Sequence, residues 1–171
     1  MIGAVVLAAG AATRFGAPKQ RLLLPAVLER VRGLDQVVVV AGAYPLDGAV
    51  DCPDWERGPG ASLRCGLAQL GPEVAAAVVV LADGPSLAPA AIDRIVEEWR
   101  ASGVPIVAAS YGGDRGHPLL LAREVWADVP DEGLRMFEPR LVPCDDLGEP
   151  GDVDTPADLP ERFRMTPDEP M

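Results

Sequence analysis

Val5-Val6-Leu7-Ala8-Ala9-Gly10-Ala11-Ala12-Thr13-Arg14-Phe15-Gly16-Ala17-Pro18-Lys19 is the stretch that decides the fold class. An apolar run that breaks into a loop of small residues is the pattern of a buried strand ending at a ligand crevice. Gly10 and Gly16 allow backbone approaches that a Cβ would obstruct. Arg14 and Lys19 bring two positive charges to the same loop, whose N–H groups suit an anion such as a nucleotide triphosphate. Two better-known phosphate loops do not fit. The P-loop spaces its glycines one residue closer and ends in Lys-Ser/Thr, whereas five residues separate Gly10 from Gly16 and Gln20 follows Lys19. The dinucleotide fingerprint needs a glycine where Ala12 stands.

Outward from this stretch, strand-like and helix-like segments alternate. Gly3 to Ala8, Gln36 to Ala41, Ala75 to Ala82 and Pro105 to Ala109 read as strands. The first three are almost unbroken aliphatic runs, as expected of parallel strands covered on both faces. Ala26 to Arg32 reads as a short helix, Ser62 to Leu70 as a second and Pro89 to Ala101 as a third. The second puts Leu63, Leu67 and Leu70 on one face, and the third does the same with Ile92, Ile95, Val96 and Trp99. The pattern predicts an α/β fold: a single three-layer, Rossmann-like domain with an open, mostly parallel sheet. Ligands bind such sheets at the C-terminal ends of the strands. Gly10 and Asp83 both fall at such ends, so a shared site is expected despite their separation in sequence. The domain is expected to span 1–159, with 160–171, which holds three prolines, trailing as a flexible tail.

Composition narrows the function classes. The 171 residues suffice for one domain with a full core, and 49% are hydrophobic. No apolar run is long enough to span a membrane, and the apolar start lacks the basic residues of a signal peptide. Acidic residues outnumber basic ones 26 to 15, for a net charge of −11, which argues against nucleic acid as a partner. Against this acidity Arg14, Lys19 and Arg21 form a local cationic cluster able to focus an anion. Cys52, Cys65 and Cys144 are widely spaced. That spacing fits no zinc motif, and the three read as small buried thiols in a reducing cytoplasm rather than a disulfide framework.

Five segments together resemble one family. Leu7-Ala8-Ala9-Gly10, Arg14-Phe15-Gly16 and Lys19 form the first. Pro53 to Gly58 running into Ser62-Leu63-Arg64-Cys65-Gly66-Leu67 forms the second, and Leu81-Ala82-Asp83-Gly84-Pro85 the third. Gly116-His117-Pro118 and Asp152-Val153-Asp154-Thr155-Pro156-Ala157-Asp158-Leu159 complete the set. In this order they resemble the MobA-like NTP transferases, the cytidylyl- and guanylyl-transferases that build molybdenum cofactors.

The resemblance implies a Mg²⁺-dependent nucleotidyltransferase. It would transfer a nucleoside monophosphate from an NTP to a phosphorylated, pterin-type acceptor and release pyrophosphate. The opening Leu-Ala-Ala-Gly favours CTP over GTP. Lys19 and Arg14 would hold the triphosphate, with Leu7, Ala8, Ala9 and Gly10 lining the nucleotide. Lys19 is the sole lysine beside fourteen arginines, which makes it a poor candidate for an ordinary solvated charge. Asp83, emerging from a buried strand, would bind Mg²⁺, although Asp before Gly-Pro also starts turns. Asp154 is the expected second metal contact and Asp152 its alternative, since residues two apart in extended backbone face one side. Ser62 and Arg64 would lie near the nucleobase, and Ser62 also reads as a plain helix N-cap. His117 would face the acceptor, although Gly-His-Pro also reads as a tight turn.

The chain departs from the family where Leu24-Pro25-Ala26 leads almost directly to Val31, leaving a first helix of about seven residues, near the lower limit for covering a sheet face. The shortening would expose an apolar patch, for which a second copy or a molybdenum enzyme is the expected partner. Two rival readings stand beside the transferase: a non-catalytic accessory protein of a molybdenum hydroxylase, and a nicotinamide-dependent reductase on a related fold.

Overall fold

Aliphatic runs covered on both faces set the centre of the sheet. A computed structural model describes residues 1–8, 19–151, 153 and 156–161. Strand β1 (Ile2–Ala8) pairs in parallel with β2 (Gln36–Ala41) and with β4 (Ala76–Leu81). β3 (Val50–Asp51) extends the sheet beyond β2. On the other side lie β5 (Ile106–Tyr111), β6 (Asp114–Ala122) and β7 (Arg140–Pro143). The order is β3-β2-β1-β4-β6-β5-β7, and β6 alone runs antiparallel to its neighbours. The predicted α/β class with an open, mostly parallel sheet is what the chain adopts.

The two faces of β1 feed two separate cores. Ile2, Ala4, Val6 and Ala8 pack beneath α1 (Lys19–Val31) and α3 (Pro89–Ser102). Val5, with Leu7 at its edge, packs beneath α2 (Pro59–Leu67) and the 3-10 turns of residues 123–128. Gly66 lets α2 approach closely, because a Cβ there would lie 2.5 Å from Val5 Cγ1. α3 begins at Pro89 and stops at Gly103, whose φ of 69° is the left-handed conformation that glycine adopts without penalty.

Several expected boundaries move. The first helix is not the short Ala26 to Arg32 but thirteen residues long, with Pro25 inside it. Its buried residues Leu23, Leu24, Val27 and Val31 cover the sheet face that the shorter helix would have left bare. The second helix starts three residues earlier than expected, with Gly58 at the N-cap and Pro59 at N1, so Ser62 is not its cap. β6 absorbs Gly116-His117-Pro118, which had read as a turn. The tight turn instead falls at Gly112 and Gly113, with φ of 61° and 85°, between the paired Tyr111 and Asp114.

The cysteines also differ from expectation. Cys52 and Cys65 form a disulfide, with Cα atoms 6.1 Å apart, that ties the end of β3 to α2; Cys144 is a buried free thiol. No described helix is long and apolar enough to cross a membrane. Most of the expected tail, residues 162–171, lies outside the described residues.

Candidate functional site

The parallel register brings the ends of β1 and β4 together. Leu7 is opposite Leu81, and the Ala82 N–H donates to the Leu7 carbonyl at 3.0 Å. Ala8 therefore lies beside the turn that carries Asp83. That turn is closed by the Gly84 N–H donating to the Leu81 carbonyl and is braced by the C-terminal strap. The Ser86 N–H donates to the Pro150 carbonyl at 2.9 Å, and the Val153 N–H donates to the Asp83 carbonyl at 3.0 Å. Val153 is buried, which anchors the strap. It also separates Asp152 and Asp154 in sequence, and both of these, like Ala9, Gly10 and Arg14, lie outside the described residues. Lys19 begins α1.

The Asp83 carboxylate has a buried Oδ1 and faces His117 electrostatically. His117 enters from β6, and its main-chain carbonyl accepts the Tyr111 hydroxyl at 2.8 Å. Burial pushes the His117 imidazole down from 6.5 to about 4; the nearby Asp83 charge opposes the shift and Arg115 reinforces it. At neutral pH the ring is uncharged, with one nitrogen able to donate and the other to accept.

This depression fixes the sign of a pH effect. Below 6.5 the unfolded chain takes up a proton on His117 that the native chain refuses until about 4. The stability held above 6.5 is therefore lost as pH falls from 6.5 through about 4, and His117→Gln is expected to flatten that part of the profile. A nuclear magnetic resonance titration of the imidazole checks the premise, and a midpoint near the ordinary value would refute it.

A cavity of about 540 Å³ opens beside this group, on the α2 side of the sheet. Leu7, Leu63, Leu81 and Leu119 give it an aliphatic lining, while His117, Arg115, Arg135 and Glu132 add polar edges of both signs. An apolar slot with a few convergent polar groups suits a small molecule with a flat apolar body and polar edges. Arg115 was not expected here. It precedes His117 by two residues on β6, and both line the cavity, which a strand reading of 114–122 would have signalled.

Of the remaining expected residues, Ser62 is buried within α2 and does not line the cavity. Arg64 turns away from it. Its Nη1 donates to the Val129 carbonyl at 2.7 Å, and its Nη2 donates to the Asp131 carboxylate. Arg57 donates to the same carboxylate at 3.1 Å, and the two arginines, Arg64 foremost, hold Asp131 below the usual carboxylate range.

The donor set at Asp83 fits a hard divalent cation: an anionic oxygen at a strand end, with one oxygen buried. Among the described residues no group of three His, Cys, Asp or Glu side chains could hold a metal alone. A cation there would take its other oxygens from a phosphate, from water or from the strap.

Comparison with known proteins agrees with this geometry. Residues 4–136 match the model of the MobA-like NTP transferase domain. The fold is similar to that of Rv0371c from Mycobacterium tuberculosis H37Rv, at 34% identity over 92% of this chain and 95% of that one, with a TM-score of 0.76. A structure of Rv0371c in complex with manganese aligns at 30% identity over 92% and 95% of the two chains, with a TM-score of 0.70. Molybdopterin-guanine dinucleotide biosynthesis protein A from Archaeoglobus fulgidus shares the fold at 16% identity over 94% and 96%, with a TM-score of 0.64. No protein of curated function matches the chain.

Proposed function

The chain belongs to the MobA-like NTP transferase family and is a nucleotidyltransferase, and from that premise we propose that it transfers CMP from CTP to a phosphorylated, pterin-type acceptor. The observation that carries the reading is the pairing of Leu7 with Leu81 at the C-terminal ends of β1 and β4, where both line the half-apolar cavity and the chain runs on from Leu81 to Asp83.

In the proposed reaction an acceptor phosphate oxygen attacks the α-phosphorus. One P–O bond forms, the bond from the α-phosphorus to the bridging oxygen breaks, and pyrophosphate leaves with that electron pair. No covalent enzyme intermediate is required, so positioning and charge neutralisation carry the rate. Lys19 and Arg14 are proposed to bind the triphosphate, with the main chain of Leu7 to Gly10 against the nucleotide. Asp83 and Asp154 are proposed to hold Mg²⁺, which when bound neutralises the charge developing on the phosphate oxygens. The manganese complex of Rv0371c supports a divalent metal in this family. Neutral His117 is proposed to orient the acceptor, and the preference for CTP rests on the Leu-Ala-Ala-Gly opening.

The test is release of pyrophosphate from CTP with Mg²⁺ on addition of a pterin monophosphate. Release that needs both substrates and forms a cytidylylated pterin is the expected outcome. Equal release with and without the pterin would refute acceptor transfer.

A further inference from the structure

We propose that Asp131 is a positioning residue: it pins the 132–135 wall of the cavity to α2 and thereby sets which acceptor the site admits, an inference that rests on reading the cavity as the acceptor's. The wall packs only in part: Leu134 and Phe137 are half-buried against the core beneath α2. Glu132, Arg135 and Met136 are exposed, and Met136 retains 63% of its accessible surface. The polar contacts that hold it to α2 converge on one residue. The Asp131 carboxylate accepts from Arg57 and Arg64, and its main-chain carbonyl accepts the Gly60 N–H at 2.9 Å. Arg64 also reaches the Val129 carbonyl, so one guanidinium spans the start of the segment.

The far end of the wall is fastened separately. Arg115 Nη1 donates to the carbonyls of Leu134 at 3.3 Å and Phe137 at 2.5 Å. A short segment held by charge at both ends and lining a cavity between them acts as a shaped lip. Its N-terminal end is set by where Asp131 docks on Arg57, Gly60 and Arg64, while Leu134 and Phe137 rest on the core. The lip lines the cavity together with His117 and Leu119 of β6, and Asp83 is not part of that lining, so a shift at Asp131 changes the slot where the acceptor is read to lie.

Asp131→Asn removes the charge while keeping the shape. The expected result, read by hydrogen exchange, is at least about tenfold faster exchange at Gly133, Met136 and Phe137, with the amides of β1 and β4 unchanged. Those three amides donate within the lip, to Pro130, Gly133 and Leu134. A fluorescent pterin monophosphate is expected to bind at least about tenfold more weakly to the variant, while CTP with Mg²⁺ binds within about twofold of the parent value. Arg57→Gln removes one of the two guanidinium groups that Asp131 accepts from, and it should give the same pattern if Asp131→Asn does not fold. Unchanged exchange in the lip, or equal weakening for CTP and the pterin, would overturn the proposal. If the parent protein binds no pterin phosphate, the acceptor class falls, and the exchange result still decides the role of Asp131.

Discussion

Asp83→Asn is expected to lower nucleotidyl transfer by about 100-fold or more, the loss that follows from removing several kcal/mol of charge stabilisation on the phosphates. The substitution is nearly isosteric. The bond that braces the turn runs from the Val153 N–H to the main-chain carbonyl of residue 83, so it survives the change. Turnover should therefore fall while the fold stays intact, which circular dichroism and a melting curve check alongside the rate. A second readout needs no substrate. The Asp83 charge opposes the depression of His117, so its removal should push the imidazole below about 4. Full activity in Asp83→Asn would remove the metal assignment, and an unmoved His117 would remove the electrostatic contact.

Gly60→Ala should cost about 3 kcal/mol of stability, near the upper end of what overpacking by one methyl does, or about 10 °C in Tm for a chain of this size. A Cβ at position 60 would lie 1.6 Å from the Pro130 carbonyl oxygen and 2.7 Å from its carbon. Both are backbone atoms, so no flexible side-chain end can yield. Either α2 lifts or residues 130–131 swing away, and the second route breaks the Gly60 to Asp131 hydrogen bond. Gly33→Ala is the control, since a Cβ there meets nothing within 4 Å. It should stay within about 0.5 kcal/mol of the parent. Urea denaturation of the two variants measures the contrast, and equal stabilities would mean that α2 does not sit against the 129–131 segment.

The centre of the fold was legible in the sequence because of double coverage. β1 and β4 fell within a residue at each end, since only a strand buried on both faces needs an aliphatic residue at every position. β2 fell where it was expected, although Val37 is exposed and only Val39 to Ala41 are buried. β6 was not legible, because its first half is polar, with Asp114 and Arg115 exposed and Gly116 and His117 half-buried, and the run contains Gly and Pro. β3 has two residues and β7 four at the opposite edges of the sheet, too short for any period to register. The length of α1 was hidden by Pro25, which ordinarily ends a helix but here is absorbed into it. At the site, Asp83 and His117 could be picked out from local motifs. The partner of Arg64 could not, because Asp131 lies 67 residues away and no local pattern links the two. The Cys52–Cys65 pairing has the same character, a contact made by the fold of β3 against α2 rather than by any spacing rule.

The measurement that bears most directly on nucleotide transfer at the β1–β4 crevice is a thermal-shift panel. It would compare Mg²⁺ with CTP, GTP, ATP or UTP against NADH and NADPH, on the parent protein and on Asp83→Asn. A ligand at 100 times its dissociation constant stabilises by about 2.7 kcal/mol, a readily visible shift. A Mg²⁺-dependent shift with CTP that Asp83→Asn abolishes is the predicted result. A shift with the nicotinamide nucleotides alone, or none with any triphosphate, would contradict the account.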